Sequence, residues 1–291
     1  MTRQTYTLEL ITPCFCAGAN PAEAEIRAPS IRGQLRWWLR ALGGNAADET
    51  AVFGAVAGEA GVGSALRIVI ADYRRGPVWN PPIIDQNSDE NYTWHFASAS
   101  GKPANAGPKI TGPRWQPKGA IPPKSSFNVV ITQIRPLSHQ LQERLDLALA
   151  AFLCFGTIGL RATRGLGAFY CKQSKPWRDL IRPLTEAGFQ VCLRAQPDSF
   201  NTWESALRDW SAWLRHKLRK EHKAERYSAL GGIQPRQASA VRFRPLLLET
   251  GQLTWVALEA PHNRVLGRST SKILIPKLFE GPAPTAPPRR R

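Results

Sequence analysis

Acidic residues are scarce in this chain of 291 residues: 22 Asp and Glu stand against 39 Lys and Arg, a formal charge of +17 at pH 7. An excess of that size calls for an acidic partner, and nucleic acid is the leading class. Anionic membrane is the rival, but the sequence lacks any apolar run approaching the roughly 18 residues that span a bilayer. The opening MTRQTYTLEL has neither the apolar region nor the cleavage site of a secretion signal, so a cytoplasmic location is expected. Histidine is sparse as well: the five are scattered, with no H-E-x-x-H, no G-x-S-x-G and no paired Cys/His spacing. Metal hydrolysis and serine or cysteine chemistry are left without visible support, and neither a metal nor a cofactor is expected.

Cysteine is present in an odd number, Cys14, Cys16, Cys154, Cys171 and Cys192. Without a secretion signal that count argues for free thiols rather than a disulfide framework. Cys14 and Cys16 form C-x-C, not the C-x-x-C of zinc sites, and their apolar neighbours in TPCFCAG favour small packed side chains. The N-Y-T at Asn91 matches a glycosylation acceptor but is incidental in a cytosolic chain.

What is there reads as alternating strands and helices. TYTLELI (5–11) has the period of a strand. In the following stretch Ile31, Leu35, Trp38, Leu39 and Leu42 recur with helical spacing, with Pro29 and Ser30 as a start and Gly43-Gly44 as a stop. ALRIVIA (65–71) and SFNVVITQI (126–134) are further strands, and Leu137, Leu141, Leu145, Leu149 and Leu153 step in fours along a second helix ending near Phe155. A glycine-rich loop, GTIGLRATRGLG (156–167), then runs into a strand near 168–172. The order β-α-β-β-α-β is the ferredoxin-like arrangement. A long insertion, about 73–124 and rich in Pro, Gly, Asn and Trp, interrupts this first domain (1–173). A second unit follows (174–280), with a short helix (177–188), a strand near FQVCLRA, a long helix over 201–229 and a hairpin turning at Glu249–Gln252. The end, 281–291, has the composition of a disordered basic tail. The fold class expected is α+β.

Four segments carry charge in a pattern that needs a use. On the first helix Arg32, Arg36 and Arg40 step by four beside or opposite the apolar stripe, and no acid lies between Arg27 and Asp48. They form a basic ridge, against the ordinary alternative of a solvated face. Trp37 points away from the stripe and is either a stacking platform for a base or an anchor against the second domain or a partner protein. The glycine-rich loop sets Arg161, Thr163 and Arg164 among Gly159, Gly165 and Gly167, suited to phosphates if it is not a plain turn, although it matches neither the Walker A pattern nor G-x-G-x-x-G. In the hairpin, Val241 and Phe243 fall on one face and Arg242 and Arg244 on the other. The run RHKLRKEHKAER, with His216 and His222, reads first as a solvated helix face and second as a track for a phosphate backbone.

LITPCFCAGAN, EIRAPSIRGQLRWWLRALGG, VFG and GS near Phe53 and Ser64, GTIGLRATRGLGAF and ASAVRFRPL together resemble, in order, the signatures of the CRISPR-associated RAMP superfamily. The resemblance implies tandem ferredoxin-like, RRM-like domains and a non-catalytic RNA-binding subunit of a type III-B (Cmr) effector complex. That subunit would contact the 3′ part of the crRNA, capture single-stranded target RNA, and assemble with other Cmr-type subunits, with no membrane or small-molecule ligand. It places RNA contacts on Arg27, Arg32, Arg36, Trp37 and Arg40, on Arg161, Thr163, Arg164 and Gly165, and on Arg242 and Arg244. Two alternatives share the fold. One is a metal-independent endoribonuclease that processes CRISPR transcripts, a chemistry that wants a histidine near the first helix or the glycine-rich loop. Neither segment has one. The other is a protein-only scaffold.

Overall fold

The alternation of the opening segment produces β1 (Thr2–Leu10), whose Leu8 and Leu10 are buried while Arg3, Thr5, Thr7 and Glu9 stay exposed. In the computed structural model the described residues are 1–18, 20, 23–56, 61–80, 88–94, 120–194, 199–219, 229–233, 236–267 and 274–275. A two-residue strand β2 (Cys14–Phe15) leads to α1 (Ala28–Ala41). Proline in its first turn suits a helix start, and Gly43, at φ +94, donates to Arg40 O to close its end. The stripe Ile31, Leu35, Trp38 and Leu39 is fully buried, each such side chain contributing about 1.5–3 kcal/mol.

A helix absent from the expected order follows, α2 (Ala46–Phe53), held by a capping box in which Asn45 Oδ1 accepts from Asp48 N and Asp48 Oδ2 from Asn45 N. Then come β3 (Leu66–Arg74), the single turn α3 (Asn91–Trp94), β4 (Ala120–Ile121), β5 (Ser126–Gln133), α4 (His139–Phe155) and β6 (Phe169–Cys171). Three long strands and the short β6 make one antiparallel sheet in the order β3-β5-β1-β6, with β1 paired to β5 from Thr2–Gln133 to Glu9–Ser126. The expected element order is therefore present, with α1 and α4 against one face. The leucine ladder of α4 is buried at Leu141, Leu145 and Leu153, and its last six residues are buried on every side. Most of the 73–124 insertion lies outside the described residues; β4 pairs with β2 in a small ribbon of its own.

The rest of the chain contributes α5 (Trp177–Glu186), β7 (Gln190–Leu193), α6 (Trp203–Trp213) with a π-helical continuation at Leu214–Leu218, the short β8 (Gly232–Ile233) and β9 (Arg236–Gln237), β10 (Val241–Leu247), β11 (Leu253–Glu259) and α7 (His262–Val265). Its antiparallel sheet has the order β10-β11-β7. The far end of the expected 201–229 helix, with His222, and the tail 281–291 lie outside the described residues. Leu180, Leu184, Phe189, Leu246, Val256 and Leu258 pack into the same apolar cluster as the stripe of α1, so α1 is sandwiched between the two sheets. A second cluster gathers Trp203, Trp210, Phe243 and Trp255 with Leu166 of the glycine-rich loop. Among the described residues no helix is long and apolar enough to cross a membrane.

The hairpin corrects one expectation. β10 and β11 alternate as predicted, yet both faces are covered: Val241 through Leu246 are all buried. The face with Arg242 and Arg244 lies against the first sheet's helices instead of solvent, because α1 and α4 close over it.

Candidate nucleic-acid interface

The basic edge of α1 survives in altered form. Arg27 is exposed and pairs with Glu25 at 3.0 Å. Arg40 grips Glu49 through Nε (2.7 Å) and Nη2 (2.9 Å), while Arg36 Nε lies 3.6 Å from the same carboxylate. Glu49 belongs to α2, so the ridge expected to be free of acids meets one across a corner that the sequence pattern did not place. Four cations still face only two carboxylates, and among the described residues Arg32 has no ion-pair partner. Arg36 and Arg40 line a cleft of about 570 Å3 with Asn45, Glu49, Asn263 and Arg264. Arg264 donates to Ala41 O (3.1 Å) and Ala187 O (2.7 Å), fastening the end of α1 to that of α5.

The start of α1 is held by sulfur. Arg27, its N-cap, makes no side-chain cap, and Cys16 Sγ lies 3.3 Å from Ser30 Oγ. Hydrogen bonding from Cys14, then from Ser30 and the Arg27 backbone, outweighs burial and brings the Cys16 thiol down to about 6. All five cysteines are free and buried, and among the described residues no group of His, Cys, Asp and Glu could hold a metal.

Trp37 is not an open stacking platform. It packs edge-on to Trp38 (centroids 5.1 Å apart) and Phe189 (6.5 Å), and the Arg242 guanidinium lies 3.5 Å above its ring. The alternative of an anchor against the second unit is the one the structure adopts. Arg242 itself is 5% exposed and donates to Gln34 Oε1 at 2.7 Å; burial pushes its pKa down to about 9. Its charge is held by a ring face and an amide, without a carboxylate among the described residues.

Arg244 and Arg164 are likewise spent inside. Arg244 donates to Pro245 O, Cys154 O and Gly156 O at 2.8 Å and to Phe169 O at 2.6 Å, answering carbonyls left over at the C-terminus of α4. Arg164, 2% exposed, reaches the carbonyls of Thr163, Leu230 and Val241 and the hydroxyl of Ser239. Gly165 is buried, its carbonyl accepting from Thr12 Oγ1 at 2.9 Å. Arg164, Gly165, Arg242 and Arg244 are thus corrected from surface contacts to internal struts.

The glycine-rich loop bends where expected, but its close approaches are to the protein's own backbone. Gly167, at φ +67, packs so tightly that a Cβ would collide with Ile158 O, and its N–H donates to Pro13 O. Phe243 N donates to Thr163 O, stitching the loop onto β10. What remains at the surface is Leu160 with half-buried Gly159, Arg161 and Thr163. Arg161 sits at φ +60, a conformation that costs a non-glycine residue on the order of 1–2 kcal/mol. Its Nε donates to Thr93 O at 3.0 Å, so the insertion reaches the loop. Sequence reasoning missed Glu49, Gln34 and Arg264. Only the Asn45–Asp48 spacing, which announces α2, could have pointed to the first.

The family model described as the RAMP superfamily matches residues 7–170. Among curated proteins, CRISPR system Cmr subunit Cmr1-1 of Pyrococcus furiosus is 28% identical over 177 residues, 56% of this chain and 43% of that protein. Cmr1-2 of the same organism is 43% identical over 44 residues, 15% of this chain and 24% of that protein. The matches thus span less than half the length of either curated relative. The crystal structure of apo Cmr1 from Pyrococcus furiosus shares the fold with a TM-score of 0.56 at 20% identity, over 94% of this chain and 92% of that one. A chain of the type III-B Cmr-β assembly bound to cognate target RNA and AMPPnP in the presence of ssDNA gives 0.51 at 11% identity, over 88% and 93% of the two chains. At these identities the structural likeness is one of fold.

Proposed function

The chain belongs to the RAMP superfamily, and from that premise we propose that it is a non-catalytic, RNA-binding subunit of a type III-B Cmr effector complex. It contacts the 3′ region of the crRNA, captures single-stranded target RNA, or does both, beside other Cmr-type subunits. The likeness to Cmr1 of Pyrococcus furiosus and to a chain of an assembly bound to target RNA supports this reading. So does the chain organisation, which we read as tandem ferredoxin-like units, 1–173 and 174–280. β7, β10 and β11 stand in the order 2-3-1, the same relative order as β1, β3 and β5 in the first sheet.

The observation that carries the reading is the exposed edge of α1, where Arg27, Arg32, Arg36 and Arg40 face two carboxylates. Its arginines offer planar donors to phosphates without base selectivity, and Arg161 and Thr163 extend the contact toward the glycine-rich loop. A non-catalytic role is supported by α1 and the glycine-rich loop, which hold no histidine; of the described histidines, His216 is paired with Asp89. His139 opens α4, a 17-residue helix about 25 Å long whose far end meets the glycine-rich loop. His262 is buried against Glu259 at 2.6 Å.

The test is fluorescence anisotropy with a labelled single-stranded RNA across a salt series. Affinity should fall with salt at a log–log slope of about −0.7 per phosphate contacted, and Arg32→Ala should make the slope shallower by about 0.7 without destabilising the fold. Neither guide nor target RNA should be cut, with or without divalent metal. Salt-independent or absent binding would return the chain to a protein-only scaffold, and cleavage that disappears with His139→Ala would make it an endoribonuclease.

A further inference from the structure

Residues 88–94 of the insertion lie across α6 and the glycine-rich loop, and their acids meet a row of cations. Asp89 Oδ1 accepts from Arg215 Nη1 at 3.1 Å and sits 2.8 Å from His216 Nε2. Glu90 Oε1 accepts from Arg208 Nε at 3.0 Å. Three residues further on, Thr93 Oγ1 is 2.8 Å from Ser211 Oγ, both buried, and Thr93 O accepts from Arg161. Trp94 anchors the end of the segment, stacked on Trp79 and edge-on to Phe15.

The two halves of this contact differ in how firmly they are held. Thr93 and Trp94 are buried, whereas the groups facing Asp89 and Glu90 are open: the side chains of Arg208, His216 and Arg215 are 70%, 56% and 42% exposed, against 28% for Asp89 and 16% for Glu90. Ion pairs whose basic partner stays open to water are screened there, so a denser anion can take over Arg208 and Arg215 from the solvent side. An RNA backbone is such an anion, and carboxylates and phosphates share the geometry that arginine recognises. The same segment also holds Arg161 of the glycine-rich loop, through Thr93 O.

We propose that Arg208, Arg215 and His216, with Arg161, form a second seat for RNA phosphates, which the protein's own Asp89 and Glu90 occupy until RNA displaces them. This rests on the RNA-binding reading above and adds a site that α1 does not include. The acids act as an internal competitor: they lower affinity for short or weakly held RNA and yield to a strand already bound along α1.

The experiment compares the full chain with Asp89→Asn/Glu90→Gln and with Glu143→Gln/Glu186→Gln. The second pair loses the same charge at exposed carboxylates paired with His139 and Arg182. The probe is a labelled single-stranded oligoribonucleotide. Each arginine that passes from its carboxylate to a phosphate adds ~0.7 to the salt slope, so transfer of both Arg208 and Arg215 should steepen that of the first variant by about 1.4. Its advantage over the natural protein should then shrink about sevenfold between roughly 50 and 200 mM salt, as that slope requires. Adding Arg208→Ala and Arg215→Ala should abolish the gain, with an unchanged circular-dichroism spectrum showing that the fold is kept. If loss of both acids unfolds the protein, Asp89→Asn alone should give half the slope change. An equal gain in both charge variants would reduce the effect to net charge and overturn the proposal. No gain in the first variant would overturn it too, leaving the function intact wherever the natural protein binds RNA. Binding by none of the proteins would overturn both.

Discussion

Arg244 offers the sharpest separation between holding the fold and holding RNA. Its guanidinium donates to four carbonyls that belong to α4, the start of the glycine-rich loop, β6 and its own strand. Each bond from a charged donor is worth about 1.5–3 kcal/mol, but the sum overcounts, since water entering the gap answers some of the carbonyls. Breaking a buried charged network of this kind costs about 3–5 kcal/mol. At ~2–4 °C per kcal/mol, Arg244→Ala should lower the melting midpoint by about 6–20 °C. Arg244→Lys should recover part of that, because an ammonium has three donors on one atom and cannot reproduce the planar fork. Urea unfolding followed by circular dichroism gives the stability, and anisotropy on the folded protein gives RNA affinity, which should keep its salt slope. A loss of less than about 1 kcal/mol together with a shallower slope would refute the assignment and return Arg244 to the RNA surface.

Trp37→Ala removes the ring under Arg242 and its edge contacts with Trp38 and Phe189, so it should cost about 3–5 kcal/mol of stability in denaturant unfolding. RNA affinity in the folded fraction should not change; lost affinity at unchanged stability would mean that the ring stacks on a base after all. Cys16→Ser tests the start of α1. Because the folded thiol titrates near 6, below its unfolded value, its ionisation stabilises the fold above the ordinary thiol range, and that contribution is lost as pH falls through 6. Urea midpoints at pH 9 and pH 6 should differ more for the natural protein than for Cys16→Ser, and parallel profiles would count against an ionised thiol at the helix start.

Periodicity located the strands and helices of the first sheet because each buries one face: Leu8 and Leu10 on β1 and the stripe of α1 carry that imprint directly. The element α2 escaped because its eight residues are too few for a periodic signal, and only the Asn45–Asp48 cap marks it. The arginines divided for a related reason. A local pattern says which residues share a face but not whether a distant element covers it, so Arg32 on an open helix edge and Arg244 on a covered strand look alike in sequence. What covers Arg244 is the end of α4, about 90 residues away along the chain. The +17 charge indicated an acidic partner without showing that several of its arginines are consumed by the protein's own carbonyls and by Asp89 and Glu90.

The register of β1 bears on how the protein is made. Thr2–Leu10 leaves the ribosome well before its neighbours, Ser126–Gln133 and Phe169–Cys171. At about 5–20 residues per second, roughly 6–25 seconds of translation pass before the first of these emerges. Through that interval both edges of the nascent strand stand open, with Leu8 and Leu10 uncovered. The order of synthesis thus sets a window in which a chaperone, or the polar residues alternating along β1, must keep it from pairing with another chain.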